Sequence, residues 1–368
     1  MTNIETKLVQ IGNKSDDKTG AINPPIYLST AYEHKGIGLS TGYDYTRTKN
    51  PTRTILEEGI ASLESGDAGF ACSSGMAAIQ LVLTLFHSGD ELIAIEDIYG
   101  GTFRIFDQYR DAYNIHTTYS TFTDLTETEA LINENTKALF IESPTNPIMH
   151  EIDIEAANKL AKKHNLLLIV DNTFLTPYIQ RPIELGADIV IHSATKYIGG
   201  HNDVLGGLVV SKGKELSEKL AMFHNTAGAV LSPFDSWLMI RGLKTLHLRM
   251  KQHDANAKEV AKYLESEPEI VTDVLYAGKG GMLSFRLKKT EWVDPFLQNI
   301  QLITFAESLG GVESFITYPT TQTHADMPVE ERERRGICDR LLRFSVGVEE
   351  AADIIADLKQ VFNKIKNI

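Results

Sequence analysis

The chain has 368 residues, of which 42% are hydrophobic, so it can bury the core of one large domain and a smaller one. Its 49 acidic and 36 basic residues give a formal net charge of −13, the wrong sign for a general binder of nucleic acids or anionic membranes. Its two cysteines, Cys72 and Cys338, form no CxxC or Cys/His cluster, which argues against a disulfide framework or a zinc site.

The first residues lack the basic-then-apolar layout of a signal peptide. No stretch approaches the roughly 20 apolar residues that a membrane-spanning helix needs. We therefore expect a soluble, cytoplasmic protein whose partners are small molecules, with no metal, nucleic acid or membrane among them.

Residues 1–45 are polar and turn-rich and show little periodicity. They are predicted to form an arm that gains order by packing on another surface. A large domain is then predicted over residues 46–230 and a smaller one over residues 231–368.

Within the large domain, short apolar runs alternate with helix-length segments. This alternation predicts an α/β fold with a large, mostly parallel sheet covered by helices on both faces. Beyond about residue 230, long amphipathic helices mix with short strands at 282–288 and 341–347, which predicts an α+β domain. The six runs of the large sheet are 69–72, 91–97, 137–143, 166–172, 187–193 and 206–212.

Ligands of open parallel sheets bind at the carboxyl ends of the strands, so the residues that follow each run are the candidates for a site. The loop Ser73-Ser74-Gly75-Met76 opens a helix, whose free N–H groups suit a phosphate. Four of the other runs end in, or are soon followed by, Tyr99, Asn146, Asp171 and the segment Ser193-Ala194-Thr195-Lys196.

A phosphate cradle, an aromatic ring, a carboxylate and a lysine on successive strand ends are the parts that hold pyridoxal 5′-phosphate (PLP). Each part has a simpler interpretation as well. A lysine after a strand is usually solvated, an aspartate there is often a turn residue, and the SSGMAA segment can be an ordinary helix start. Nucleotide motifs fit worse, because GxxxxGK[ST] is absent and GIGLSTG at 36–42 misses the GxGxxG spacing.

Over nearly its whole length the sequence resembles the Cys/Met-metabolism family of PLP-dependent enzymes, which includes cystathionine γ-synthases, O-acetylhomoserine thiol-lyases, cystathionine lyases and methionine γ-lyases. The resemblance implies PLP as cofactor and the fold-type-I (aspartate aminotransferase-like) architecture, with a seven-stranded type of sheet. The matching stretches are YDYTRTKNPT (43–52), SSGMAAI (73–79), YGGTFRIF (99–106), ESPTNP (142–147), VDNTF (170–174), HSATKYIGGHND (192–203), ESLGGVESFITYP (307–319) and LLRFSVGVE (341–349).

The resemblance also implies roles for individual residues. Lys196 would hold the cofactor covalently and shuttle protons, and Asp171 would pair with the pyridinium nitrogen. Tyr99 would act in catalysis too, by stacking on the ring while helping to displace Lys196 or to move a proton. Tyr45 and Arg47 would reach the phosphate of a neighbouring subunit, so that the arm of residues 1–45 helps to build a homotetramer of two dimers with shared sites. The phosphate and the ring oxygen would be bound by Ser74, Gly75, Met76, Asn146, Ser193 and Thr195.

For the substrate, the resemblance implies that Arg343 clamps the α-carboxylate beside Asn146 and Ser308. Without the family match, Arg343 would be read as an exposed strand arginine. Arg104 and Glu307 are expected near the distal end of the substrate, although both could be surface charges.

Glu307 also bears on the reaction, since a glutamate before SLGG is associated with γ-specific members of the family. Gly101 stands where methionine γ-lyases usually carry a cysteine. We therefore expect γ-replacement on O-acetyl- or O-succinylhomoserine, with acetyl favoured, by cysteine to give cystathionine, or by sulfide to give homocysteine, in methionine biosynthesis by transsulfuration. The alternatives are a cystathionine γ-lyase and a non-catalytic PLP-binding protein.

Overall fold

The computed structural model describes residues 2–325 and 327–367. Its larger sheet has seven strands in the order β1-β7-β6-β5-β4-β2-β3. All neighbouring pairs are parallel except those of β7, which runs antiparallel to both β6 and β1. The strands are β1 Ala68–Cys72, β2 Glu91–Ile95, β3 His116–Ser120, β4 Thr136–Glu142, β5 Leu167–Asp171, β6 Ile189–Ser193 and β7 Gly207–Ser211.

Helices cover this sheet because their apolar stripes pack against strands that are themselves buried on both faces. The predicted α/β class with a large, mostly parallel sheet is therefore confirmed. Strand β3 was not predicted, because HTTYS at the sheet edge is rich in hydroxyl groups and lacks an apolar run. The helices are α2 Pro51–Glu64, α3 Gly75–Leu83, α4 Gly100–Tyr113, α5 Leu125–Ala130, α6 Ile154–Lys163, α7 Thr176–Ile179 and α8 Lys214–Ala227.

The amino-terminal 45 residues contain a helix, α1 Ile4–Gln10, that sequence periodicity did not indicate. Leu8 on this helix is fully buried in the core of the large sheet, and α1 packs against α2 and the long helix described next. The start of the chain is thus ordered within its own fold. The subunit contact predicted for residues 1–45, and the domain boundaries at 45 and 230, remain predictions.

The second sheet follows a 33-residue helix, α9 Pro233–Glu265, which begins with Pro233 at its first position and with Ser232 as its cap. This sheet has five strands in the order β10-β11-β12-β9-β8, and its core is separate from that of the larger sheet. The remaining elements are β8 Val271–Tyr276, β9 Met282–Leu287, α10 Val293–Asn299, β10 Thr304–Phe305, β11 Phe315–Thr317, α11 Val329–Arg334, β12 Leu341–Ser345 and α12 Ala351–Ile365, with a 3₁₀ turn at Thr290–Trp292.

None of the helices in the described part of the chain is both long enough and apolar enough to cross a membrane. The two sheets meet where the carboxyl ends of β4, β5 and β6 face residues of β12 and of the segment before β11. This junction places strand-end side chains from the larger sheet opposite side chains from the smaller one.

Candidate active site

A cavity of about 300 Å³ lies at the junction of the two sheets. All the site residues predicted from the sequence line it except Tyr45, Arg47 and Arg104. Its walls are formed by Ser74, Gly75, Met76, Ile79, Tyr99, Glu142, Asn146, Asp171, Thr173, Phe174, Ser193, Thr195, Lys196, Leu205, Glu307, Ser308, Leu309, Thr323 and Arg343.

Lys196 sits on a tight turn directly after β6. Its N–H donates to Ser193 O at 3.1 Å, and its carbonyl accepts from Gly200 N at 2.8 Å, so the turn is closed on both sides of the lysine. Its Nζ lies 3.5 Å from Ser308 Oγ across the cavity. Burial, helped by the positive charge of Arg343, lowers the pKa of Lys196 to about 8. A sizeable fraction of this amine is therefore neutral, and nucleophilic, near physiological pH.

Asp171 ends β5, and its carboxylate is held by the residue two positions on. Thr173 donates to Asp171 Oδ1 from its N–H at 3.0 Å and from its hydroxyl at 2.6 Å. The same hydroxyl oxygen accepts from Ser193 N at 2.8 Å. Burial raises the pKa of Asp171, while the Thr173 hydrogen bonds and the charge of His192 oppose that rise. Thr173 thus fixes the distance between the carboxylate and the phosphate-side residue Ser193.

The predicted phosphate cradle is the start of α3. Ser74 caps the helix by accepting from Ala77 N at 3.0 Å, while the N–H groups of Gly75 and Met76 have no acceptor within the helix. A Cβ on Gly75 would come within 2.9 Å of the Ser193 side chain, so only glycine lets the helix start approach β6 this closely. The hydroxyl of Thr195 is engaged differently, since it donates to Gly206 O at 3.2 Å.

Tyr99 is the residue before α4, and its ring lies close to Met76. Its N–H donates to Glu142 Oε2 at 3.0 Å, and burial raises the pKa of its phenol, which keeps the phenol protonated. A Cβ on Gly101 would overlap the Tyr99 ring and approach Met76 Sδ to 2.9 Å. Glycine at position 101 therefore leaves room for the Tyr99 ring in its present position.

Arg343 reaches the cavity from β12 and is 2% exposed. Its Nη1 donates to Asn146 Oδ1 at 3.1 Å, and its Nη2 donates to Ser308 O at 3.2 Å and Thr317 Oγ1 at 3.0 Å. Among the described residues it forms no ion pair with a carboxylate, and its Nε has no hydrogen-bond partner. Burial lowers the pKa of Arg343 to about 10, so it stays charged at neutral pH. A buried cation of this kind calls for an anion from outside the chain.

Three predicted residues lie outside this cavity wall. Tyr45 is 50% exposed, and Arg47 is also exposed, with its Nη1 donating to Asn225 Oδ1 at 3.0 Å. Arg104 is exposed on α4, and its positive charge lowers the pKa of Tyr99 against the larger effect of burial. The roles predicted for Tyr45, Arg47 and Arg104 remain predictions.

Sequence reasoning missed Glu142 and Thr173. Glu142 is the last residue of β4 and lies beside Asp171 in the register of the sheet. Burial raises the pKa of Glu142 well above its usual range, and the charge of Asp171 adds to the rise. Both residues lie within one position of the end of an apolar run, Glu142 just inside the run 137–143 and Thr173 just after the run 166–172. The signal that could have found them is this position at a strand end. Thr323, which also lines the cavity, gives no comparable signal in the sequence.

The sequence profile of the family described as Cys/Met metabolism PLP-dependent enzyme matches residues 5–363. The chain belongs to this family. It is 61% identical to a cystathionine γ-synthase/O-acetylhomoserine (thiol)-lyase of Bacillus subtilis, over 99% of this chain and 97% of that protein. It is 62% identical to a cystathionine γ-synthase of Haemophilus influenzae, over 99% and 98%. A cystathionine γ-lyase of Bacillus subtilis is 48% identical over 98% and 99%.

Among solved structures, a cystathionine γ-synthase of Xanthomonas oryzae in complex with cystathionine superposes with a TM-score of 0.97. It is 39% identical and covers 100% of this chain and 99% of that one. The protein is therefore a PLP-dependent enzyme of fold type I, as predicted. The residues present suit the cofactor, because the Gly75 cradle, the Asp171 carboxylate and the Lys196 amine open into one cavity.

Proposed function

We propose that this enzyme catalyses γ-replacement on an O-acylhomoserine, with cysteine as the nucleophile and cystathionine as the product. The observation that carries the proposal is the place of Glu307 in the cavity wall, next to Ser308 and opposite Lys196. Sequence identity supports the proposal, because it is 61% and 62% with the two synthases and only 48% with the γ-lyase. Sulfide would serve as a second nucleophile and give homocysteine.

Bound in the cavity, PLP supplies an electron sink that makes the protons on the substrate carbons next to it acidic. Asp171 would pair with the ring nitrogen, whose positive charge offsets the cost of burying the carboxylate. The N–H groups of Gly75 and Met76, with Ser74, Ser193 and Thr195, would bind the phosphate. Tyr99 would stack on the ring, and Asn146 would contact the ring oxygen.

On the substrate side, Arg343 would bind the α-carboxylate, which gives this buried guanidinium an ion-pair partner that no carboxylate among the described residues supplies. The Lys196 amine, with its pKa lowered to about 8, would take the Cα proton, pass that proton on and, neutral again, take a Cβ proton. Removing the second proton is what allows a leaving group on Cγ to depart. Glu307 would hold the ammonium group of the incoming cysteine at the cavity mouth.

We also propose that two chains complete each site and that two such dimers form a homotetramer in the cytoplasm. Tyr45 and Arg47 would reach the phosphate of a neighbouring subunit. Their exposure supports this, as does the exposure of apolar side chains on the same segment, where Leu28 is 72% and Ile37 fully exposed.

A product assay tests the proposed reaction. Purified enzyme with PLP is given O-acetyl- or O-succinylhomoserine together with cysteine or sulfide, and thioether and thiol products are separated by chromatography. We expect cystathionine from cysteine, with release of the acyl acid, and faster turnover of the acetyl ester. Faster release of ammonia from cystathionine than formation of cystathionine would identify the enzyme as a γ-lyase instead.

A further inference from the structure

Another buried arginine contacts the turn that carries Lys196. Arg249, in the middle of α9, is 7% exposed. Its Nη1 donates to Tyr197 O at 2.6 Å, and its Nη2 donates to Ile198 O at 3.4 Å and to Gly242 O at 2.8 Å. Tyr197 and Ile198 are the two residues that follow Lys196. A side chain of α9 thus donates to the carbonyl groups of the two residues that follow Lys196.

Arg249 forms no ion pair with a carboxylate among residues 2–325 and 327–367, and the acceptors named above are neutral carbonyl oxygens. Its Nε donates to Thr245 Oγ1 at 3.1 Å, again a neutral group. Burial lowers the pKa of Arg249 to about 10, so the side chain keeps its charge at neutral pH. A cation buried without a counterion is costly, and core packing alone would be served better by an apolar side chain.

Two glycines make room for this arrangement. Gly200 has a φ of +76°, and a Cβ there would overlap the guanidinium of Arg249. A Cβ on Gly242 would overlap Ile198 O and approach Gly199 O to 2.7 Å, so the helix itself lies directly against the turn. Gly200 N also donates to Lys196 O at 2.8 Å. Gly200 thus contacts both the Arg249 guanidinium and the backbone of Lys196, and it links the two residues.

We infer that Arg249 is a positioning residue for Lys196: it fixes the turn by capping its last carbonyl groups and so holds the amine at its working position in the cavity. Buried carbonyl groups need donors, and those of Tyr197 and Ile198 lie at the end of a short turn, where the chain no longer supplies a backbone N–H to them. The inference rests on the proposed role of Lys196. It adds that the geometry of the lysine is set from α9, 53 residues later in the chain.

The test compares Arg249→Lys with Arg241→Lys in the PLP-loaded enzyme. Arg241 is exposed on the same helix and serves as the matched control. A lysine at 249 keeps the charge but cannot donate to both turn carbonyls and Gly242 O at once. We expect kcat to fall by about 10-fold or more while KM for the acyl ester changes less than about 3-fold, because Arg343 is untouched. The pH midpoint of the visible absorption change of bound PLP should move by about half a unit.

A second pair of variants reaches the same contact from the other side. Gly200→Ala places a methyl group against the Arg249 guanidinium, whereas Gly278→Ala adds the same methyl at a φ of +74° with open space around it. Both carry the same backbone strain, so only the first should move kcat and the absorption midpoint. This pair decides the question if Arg249→Lys does not fold.

The outcomes separate the two proposals. If the wild-type enzyme shows no cofactor bound at Lys196, the proposed function fails. If the wild type binds PLP normally but the Arg249 and Gly200 variants differ from their controls only in melting temperature, Arg249 is purely structural and the inference is overturned.

Discussion

The two walls of the cavity are built in different ways. On the sheet wall, Asp171, Thr173 and Ser193 are linked by hydrogen bonds of 2.6 to 3.0 Å between adjacent strand ends. On the opposite wall, Arg343 projects from the second sheet and contacts Asn146 at 3.1 Å. The strand-end groups of the sheet wall are bonded to one another, whereas Arg343 forms no ion pair with a carboxylate among the described residues. This difference is the one we expect if one wall binds the cofactor and the other binds an anionic substrate.

If that division is right, changes in the sheet wall should alter the chemistry and the colour of the enzyme, and changes in the opposite wall should alter the requirement for substrate. The following experiments can break or sharpen this comparison.

The largest effect is expected from Asp171→Asn. The amide keeps the shape and an acceptor for Thr173 but removes the charge that stabilises a protonated ring nitrogen. We expect kcat to fall by roughly 10³-fold, with the melting temperature nearly unchanged. Steady-state kinetics and thermal melting measure the two quantities. Asp339→Asn, at an exposed position, is the control, and wild-type kcat in the Asp171 variant would show that the carboxylate is only a turn residue.

The next effect concerns pH. The pKa of Lys196 is lowered to about 8, and only the neutral amine can attack the cofactor aldehyde. The rate of covalent PLP uptake by the apoenzyme should therefore rise about 50-fold from pH 6 to pH 8 and level off, about twofold higher, above roughly pH 9. Stopped-flow absorbance measures it. A rate that keeps rising to about pH 10, as for a free lysine, would contradict the burial of this amine.

On the opposite wall, Arg343→Lys should raise KM for the acyl ester by about 30-fold and change kcat much less. An ammonium group cannot form the two-pronged pairing with a carboxylate, although it keeps the charge. Arg340→Lys, three residues earlier, partly exposed and outside the cavity wall, is the matched control. A fall in kcat without a change in KM would contradict this prediction, because Arg343 would then act in the chemical step and not in substrate binding.

The smallest effect is expected from Glu142→Gln. Burial and the neighbouring Asp171 charge raise the pKa of Glu142 well above its usual range, which favours the protonated form. The neutral amide therefore changes little, and kcat should stay within about 3-fold of the wild type, since Tyr99 N keeps an acceptor. Glu142→Ala, which removes that acceptor, should be worse. A large loss in the Gln variant would mean that Glu142 works as an anion.

The residues at the strand ends show which parts of the site could be predicted from the sequence. Lys196, Asp171 and Tyr99 were predicted because each directly follows or lies near an apolar run, and parallel strands bring their carboxyl ends together. Arg343 and Glu307 come from the second sheet and its preceding segment, and only the family resemblance pointed to them. Pattern alone could not find a contact between residues so distant in the chain.

Other features depend on tertiary contacts that leave no local pattern. Helix α1 is short, and its single buried residue, Leu8, gives no periodicity. Arg249 looks like any charged residue of an amphipathic helix until the lysine turn is seen against it. The acidic residue Glu142 was hidden because it is counted within its strand and not after it.

The most direct test of the central claim is borohydride reduction of the PLP-loaded enzyme, followed by proteolysis and mass spectrometry. Our account predicts a yellow enzyme that loses its visible absorption on reduction and carries a single pyridoxyl phosphate adduct on Lys196, while Lys196→Ala carries none and Lys214→Ala, exposed on α8, behaves like the wild type. An unmodified Lys196, or an adduct on another lysine, would contradict it.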